Sequence, residues 1–388
     1  MILTSTTMSC PLLSDTLDLI VDQLHDDPAT LKACCLSSKS WAPRTRRHLF
    51  ASVQFGPPGP TIESWMETFP DPLNTPARYT RTLIILDIRP AVAAAAIQWI
   101  RAFQNVARLH IVALARAESD KDLSLAQLNG LSPAVKSLRM GFDSTPLSEV
   151  FDFMCSFPSL EDLALFHIGR EDDSDQWCCP QTSPSFSGSL MLGGMWGIGP
   201  IAYRLMELPN GLRFTKVALV CVDEEDFEWV DELVSGCSDT LEDLNVTCNF
   251  PGVYPPPPLL VGSSPLCSDA PASSFDLSTA TKLKGLTFQC TQPGVQWITT
   301  ALETTQPKDI PQISIHLVDT ALENMAEEVI QEWKDLDRLL VQSYLSHPIS
   351  LRVASVPDED GLYLSEYMMI LLPGLTRRGL VDVVEPSS

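Results

Sequence analysis

The chain is poor in positive charge. Its 388 residues carry 26 Lys and Arg against 49 Asp and Glu, a formal net charge of −23. Duplex nucleic acid is gripped by basic side chains that displace its counterions, and an anionic membrane surface attracts the same residues. Neither is an expected partner. Long apolar runs are lacking too. The most apolar stretch, 82–100, is broken by Asp87, Arg89 and Pro90, and the N-terminal MILTSTTMSCPLL has neither a basic segment nor an apolar core. No membrane span and no secretory leader are expected.

Chemistry-bearing motifs are equally scarce. The six histidines, at 25, 48, 110, 167, 316 and 347, show no ligand spacing, and H-E-x-x-H, C-x-x-C, a P-loop and G-x-S-x-G do not occur. The expectation is therefore no catalytic residue, no metal and no cofactor. The 11 cysteines are odd in number and fall mostly in apolar runs, such as Cys221, Cys248 and Cys290. They read as free buried thiols of an intracellular protein, cytoplasmic or nuclear.

What the chain does have is apolar patterning. Hydrophobic residues make up 45% and charged residues 19%, as in a globular protein. The length suits one small and one large domain. After a tail at 1–11, residues 12–55 read as three short helices. Leu17, Ile20, Val21 and Leu24 recur at i, i+3, i+4 and i+7, one apolar stripe on a helix. Asp26-Asp27-Pro28 ends it, with Asp27 as N-cap and Pro28 as first residue of the next helix. That helix carries Leu31, Cys34, Cys35 and Leu36. A third starts near Ser40, with Trp41, and holds Arg44, Arg46, Arg47 and His48. A module of this size cannot bury so many apolar positions alone. On pattern, it either caps the following domain or meets a partner.

The run PLLSDTLDLIVDQLHDDPATLKACCLSSKSWAPRTRRHLF resembles an F-box, in the form common in large fungal families. The F-box pattern falls on Leu13, Ser14, Thr16, Leu17 and Ile20, then Leu31, then Leu36, Lys39 and Trp41. Ser14 and Thr16 stand where the pattern has Pro and Glu, and Ser37-Ser38 where it has Val-Cys. The resemblance implies docking on a ligase adaptor subunit of the S-phase-kinase-associated type, and through it on a cullin. It implies Leu13, Leu17, Ile20, Leu24, Leu31, Leu36 and Trp41 as the adaptor-binding residues.

Residues 56–388 repeat. Apolar-x-apolar cores recur at Leu83/Ile85, Leu109/Ile111, Leu138/Met140, Leu163/Leu165, Leu190/Leu192, Val217/Leu219, Leu244/Val246, Leu286/Phe288 and Ile313/Ile315, with a further strand at Leu351/Val353. The period is about 25 to 29 residues, apart from a gap of about 42 that holds the Pro- and Ser-rich insertion 251–274. Helical pieces fit between them at 91–103, 145–156, 224–235 and 322–345. The fold class expected is α/β: a short helical F-box followed by an irregular leucine-rich-repeat-like solenoid of strand-helix units. F-box proteins often carry such repeats. An ordinary α/β sheet with crossovers gives the same alternation.

The function this implies is a substrate-recruiting adaptor of a cullin-type ubiquitin ligase, holding an unknown target protein through the repeats. It would do no chemistry itself. An interaction scaffold with a degenerate F-box is the alternative. A remoter one is a nucleotide-binding enzyme, since Gly197-Ile198-Gly199-Pro200-Ile201-Ala202 fits the G-x-G-x-x-A dinucleotide pattern. The basic cluster Arg44/Arg46/Arg47/His48 reads as a solvated face, or as a surface meeting acidic parts of the adaptor or of the chain's own repeats. The acidic segment 170–187 reads as solvated surface, or alternatively as a dock for a basic segment of a substrate.

Overall fold

The computed structural model describes residues 11–86, 90–114, 125–142, 145–167, 182–194, 197–222, 225–248, 275–290, 295–305, 312–318, 327–344, 349–354 and 370–382. The tail and the insertion 251–274 lie outside them, as does most of the acidic segment. The chain is α/β and divides into two compact units.

The first unit comprises Met1–Gly141 and Glu149–Leu160. It opens with helices α1 (Pro11–Gln23), α2 (Pro28–Ser37) and α3 (Ala42–Leu49). Asp27 caps α2 as expected: its carboxylate accepts from the backbone of Ala29 and Thr30 at 3.1 and 3.0 Å. Strand β1 (Ser52–Phe55) follows, then helix α4 (Ile62–Thr68) and two single turns of 3-10 helix, Pro72–Asn74 and Pro76–Tyr79. Strands β2 (Thr82–Leu86), β3 (Arg108–Leu114) and β4 (Ser137–Phe142, its last residue counted with the second unit) alternate with helices α5 (Pro90–Arg101) and α6 (Leu125–Leu128). Helix α7 (Leu147–Cys155) lies mostly in this unit. The strands run parallel in chain order.

One strand falls inside the stretch read as the helical module. β1 puts Val53 and Phe55 in register with Leu83 and Ile85 of β2, so it is one more apolar-x-apolar piece of the same ladder. The alternation in Ser-Val-Gln-Phe carries the signal.

The second unit comprises Phe142–Ser148 and Glu161–Ser388. Its strands are β5 (Asp162–His167), β6 (Ser189–Gly194), β7 (Lys216–Cys221), β8 (Asp243–Cys248), β9 (Gly285–Cys290), β10 (Gln312–Val318), β11 (Ile349–Ala354) and β12 (Val381–Asp382). Every described pairing is parallel and joins neighbours in sequence. Helices α8 (Gly199–Met206), α9 (Asp226–Gly236), α10 (Gln296–Thr304) and α11 (Glu327–Ser343) alternate with them. In neither unit does the strand order reverse, as it would in a doubly wound sheet.

The register explains the sequence pattern. Leu163, Leu190, Val217, Leu244, Leu286 and Ile313 stack across β5 to β10, followed two residues on by Leu165, Leu192, Leu219, Val246, Phe288 and Ile315. All are at most 2% exposed. Each such side chain contributes about 1.5–3 kcal/mol by leaving water, so the inner face dominates the stability. A backbone clamp precedes the strands. The N–H groups of Glu242 and Asp243 both donate to the Thr215 carbonyl, at 2.8 and 3.0 Å, and Lys284 and Gly285 repeat this on the Glu242 carbonyl. In the first unit, Arg81 and Thr82 do the same on Ala51, then Ala107 and Arg108 on Arg81. Adjacent repeats thus share a tie made by backbone groups, which does not depend on the side chains at those positions.

Candidate docking surface on the N-terminal helices

The three helices are held by α3. It packs on α1, on α2 and on the turn Pro76–Tyr79. Phe50, at its C-cap, meets Trp65 edge-on at 6.1 Å and Phe69 at 6.5 Å, while Phe55 and Phe103 close the same cluster around Trp65. One end of the module is therefore a cap on the first unit's core, as one reading of the pattern had it.

The other tie is ionic. Asp22 on α1 accepts Nε of Arg44 at 2.6 Å and a second guanidinium nitrogen, and is bonded to Nε2 of His48 at 2.8 Å. Arg44 and His48 are one helical turn apart, so both reach one carboxylate. Hydrogen bonding from Arg44, then from His48, holds the Asp22 carboxyl well below the usual carboxylate range. The same pairing raises the Arg44 guanidinium above its ordinary value. This corrects the reading of the basic cluster as one solvated face: Arg44 and His48 are internal ties, and only Arg46 and Arg47 are exposed.

The seven expected contact residues separate. Ile20 is 50% exposed and Leu36 88%. Leu17, Leu24 and Trp41 are half-buried. Leu31 is 1% exposed and belongs, with Val21, to the core of the helices, so it supports the surface without presenting itself on it. Leu13 lies on α1, but its side chain is outside the described ones. The spacing argument missed Leu19, which is 65% exposed beside Ile20. It sits off the i, i+3, i+4 stripe, of which Val21 is buried, Leu17 and Leu24 are half-buried and Ile20 stays exposed. Exposed Leu and Ile on consecutive short helices are the kind of surface that marks a binding site when contiguous.

The glycine motif has a structural explanation. Gly197 adopts φ +90°, and a Cβ there would lie 2.7 Å from Oδ1 of Asp226. A Cβ on Gly199 would lie 2.6 Å from Nε1 of Trp229. Both glycines make room for α9. The Asp226 carboxylate, 3% exposed, accepts from the backbone of Ile198 at 2.7 Å and of Val222 at 2.8 Å. The position a pyrophosphate needs at the start of α8 is filled by a carboxylate of like charge. Helix α10 is treated the same way: Glu332 of α11 accepts from Val295 and Gln296 at 3.0 and 3.2 Å.

A second surface lies on the β6–β9 face turned away from the core. Met191, Ala218, Asn245 and Thr287 line a hollow of about 370 Å³, with the pair Lys216–Asp243 (3.2 Å) at its edge. Oδ1 of Asn245 is buried there without a hydrogen-bond partner among the described residues. Asn245-Val246-Thr247 lies within β8 and is a strand segment rather than an exposed loop. Of the histidines on strands, His110 and His316 fall in different units, and the side chain of His167 is outside the described ones. Burial, followed by the nearby Arg139, lowers the His110 pKa.

Among the described residues no group of His, Cys, Asp or Glu is placed to hold a metal ion, and no helix is long and apolar enough to cross a membrane. No family model and no curated protein matches the chain.

Proposed function

We propose that this protein is a substrate-recruiting adaptor of a cullin-type ubiquitin ligase, with an F-box in residues 12–55 and a leucine-rich-repeat-like solenoid after it. The reading rests on the F-box resemblance. The observation that carries it furthest is the exposure of Leu19, Ile20 and Leu36 on helices that are otherwise fixed, α3 being anchored by Phe50 and clasped to α1 through Asp22. A cap that served only the fold would have no need to present these side chains to water. The sequential parallel strands supply an extended face of the kind repeat proteins use to grip other proteins. The function is proximity: one surface joins the ligase, another holds the target, and other subunits do the transfer.

The test is direct mixing of the full chain with the purified ligase adaptor subunit. A stable complex, abolished by Ile20→Asp with Leu36→Asp, supports the reading, because charge placed in an apolar interface is costly. A folded chain that forms no complex overturns it. That outcome leaves the scaffold without a ligase role, the reading favoured by Ser14 and Thr16 standing where the F-box pattern has Pro and Glu.

A further inference from the structure

Helix α3 spends its basic residues on two opposite faces. Arg44 and His48 turn to Asp22. Arg46 is two residues on from Arg44, so it projects about 200° around the helix. With Phe50, one turn further, it lines a cavity of about 360 Å³ whose other walls are Phe69, Asn74, Thr75, Pro76, Arg78 and Tyr79. All of these lie in the first unit.

The cavity has an unusual charge for this molecule. Two guanidinium groups line it, and no carboxylate does among the described residues, in a chain of net charge −23. Neither Arg46 nor Arg78 pairs with a carboxylate among the described residues. Arg78 instead donates to the Tyr79 hydroxyl at 2.8 Å and lies over the Tyr79 ring, 4.8 Å from its centre. That contact positions the guanidinium without neutralising it. The nearest acid in sequence, Asp71, has its carboxylate taken by the Leu73 N–H at 2.9 Å and the Asn74 amide at 2.5 Å. Asn74 and Tyr79 add an amide and a hydroxyl to the lining, both neutral groups able to donate.

The rest of the wall is aromatic. Phe50 and Phe69 stand edge to face, with Pro76 beside them. A cavity of this volume is at the small-molecule scale, larger than a bare tetrahedral anion fills.

We propose that this cavity is a binding site for an aryl phosphate: a dianionic phosphoryl head held by Arg46 and Arg78, and an aromatic body against Phe50 and Phe69. Two guanidiniums lining one cavity, with neutral donors beside them, match the three oxygens of a phosphoryl group better than the two of a carboxylate. The site does not depend on docking of α1 and α2 to a ligase, so either conclusion stands without the other.

The test uses the full chain and calorimetric titration with phenyl phosphate, phenol, inorganic phosphate and a phosphotyrosyl peptide. Phenyl phosphate is expected to bind at least tenfold more tightly than phenol or inorganic phosphate. Arg46→Ala and Arg78→Ala are each expected to weaken it at least tenfold, and Arg47→Ala, exposed but outside the cavity, to leave it unchanged. Circular dichroism confirms that each variant is folded. A peptide that binds more tightly than phenyl phosphate assigns the head to a phosphorylated protein; equal affinity assigns it to a small aryl phosphate. Binding that is unchanged in the Arg46/Arg78 double variant, or equal for phenol and phenyl phosphate, overturns the proposal, as does no binding by the folded chain.

Discussion

Arg44 on α3 grips the carboxylate of Asp22 on α1 with two of its guanidinium nitrogens, and this one contact decides how the first helix is presented. α1 buries Val21 in the core of the helices while its Leu19 and Ile20 face water, and its connection to α3 through Asp22 is the ionic one among the described residues. The clasp is therefore the place where the candidate docking surface is made rigid or loose.

Replacing Asp22 with Asn removes that clasp. Amide hydrogen exchange in residues 16–24 is expected to rise in Asp22→Asn, with exchange in the strands unchanged. In the unmodified chain the clasp has a defined pH range. A carboxyl whose folded pKa is depressed stabilises the fold fully above its unfolded value, and that contribution is lost only as pH falls through the folded one. The helix contact should thus survive from about pH 5 down to about pH 4, where free carboxylates take up protons, and loosen only in stronger acid. Loosening already near pH 5 would contradict the role given to Asp22.

Leu31 and Leu36 should behave oppositely. Leu31→Ala empties a position 1% exposed and is expected to cost about 2–5 kcal/mol in urea unfolding. Leu36→Ala changes a side chain 88% exposed and should move stability by no more than about 0.5 kcal/mol. Any effect of Leu36 then appears in complex formation with the ligase adaptor subunit.

Asp226→Ala strips the N-terminus of α8 of its acceptor and leaves the buried Ile198 amide and the half-buried Val222 amide without one. Each such group costs about 1–3 kcal/mol, so thermal unfolding should shift down clearly. NAD or FAD at saturating concentration should leave the melting temperature of the native chain unchanged. A rise would show that the cleft admits a pyrophosphate despite Asp226.

The thiols supply a map of the core. Cys221, Cys248 and Cys290 stand side by side across β7, β8 and β9, all buried and unbridged. Burial pushes the Cys237 thiol up to about 11 and that of Cys290 up to about 12. Cys248 is raised further, first by burial and then by Cys221. At about pH 8 Cys237, Cys248 and Cys290 carry almost no thiolate, and they and the buried Cys221 should resist iodoacetamide in the native protein, while the half-buried Cys34 and Cys35 react. Mass spectrometry of digests reads the difference, and labelling of Cys290 before unfolding would refute the packing.

The sequence by itself determined the strand ladder, because an apolar-x-apolar core is forced wherever alternate residues face a buried sheet surface. It also marked the three short helices through the Asp27-Pro28 boundary, which is local chemistry. Tertiary structure decided the rest. Whether Leu31 or Leu36 faces water depends on where α3 lies, and α3 is placed by Phe50 against Trp65, a contact no local pattern encodes. The same holds for the arginines. Composition sees four neighbouring basic residues, but only the position of Asp22 separates Arg44 and His48, which are consumed inside the fold, from Arg46, which is left to line a cavity. The glycine motif is the converse case. Its spacing matches a phosphate-binding turn, and a carboxylate 28 residues away in the chain, at Asp226, occupies the space for which the glycines make room.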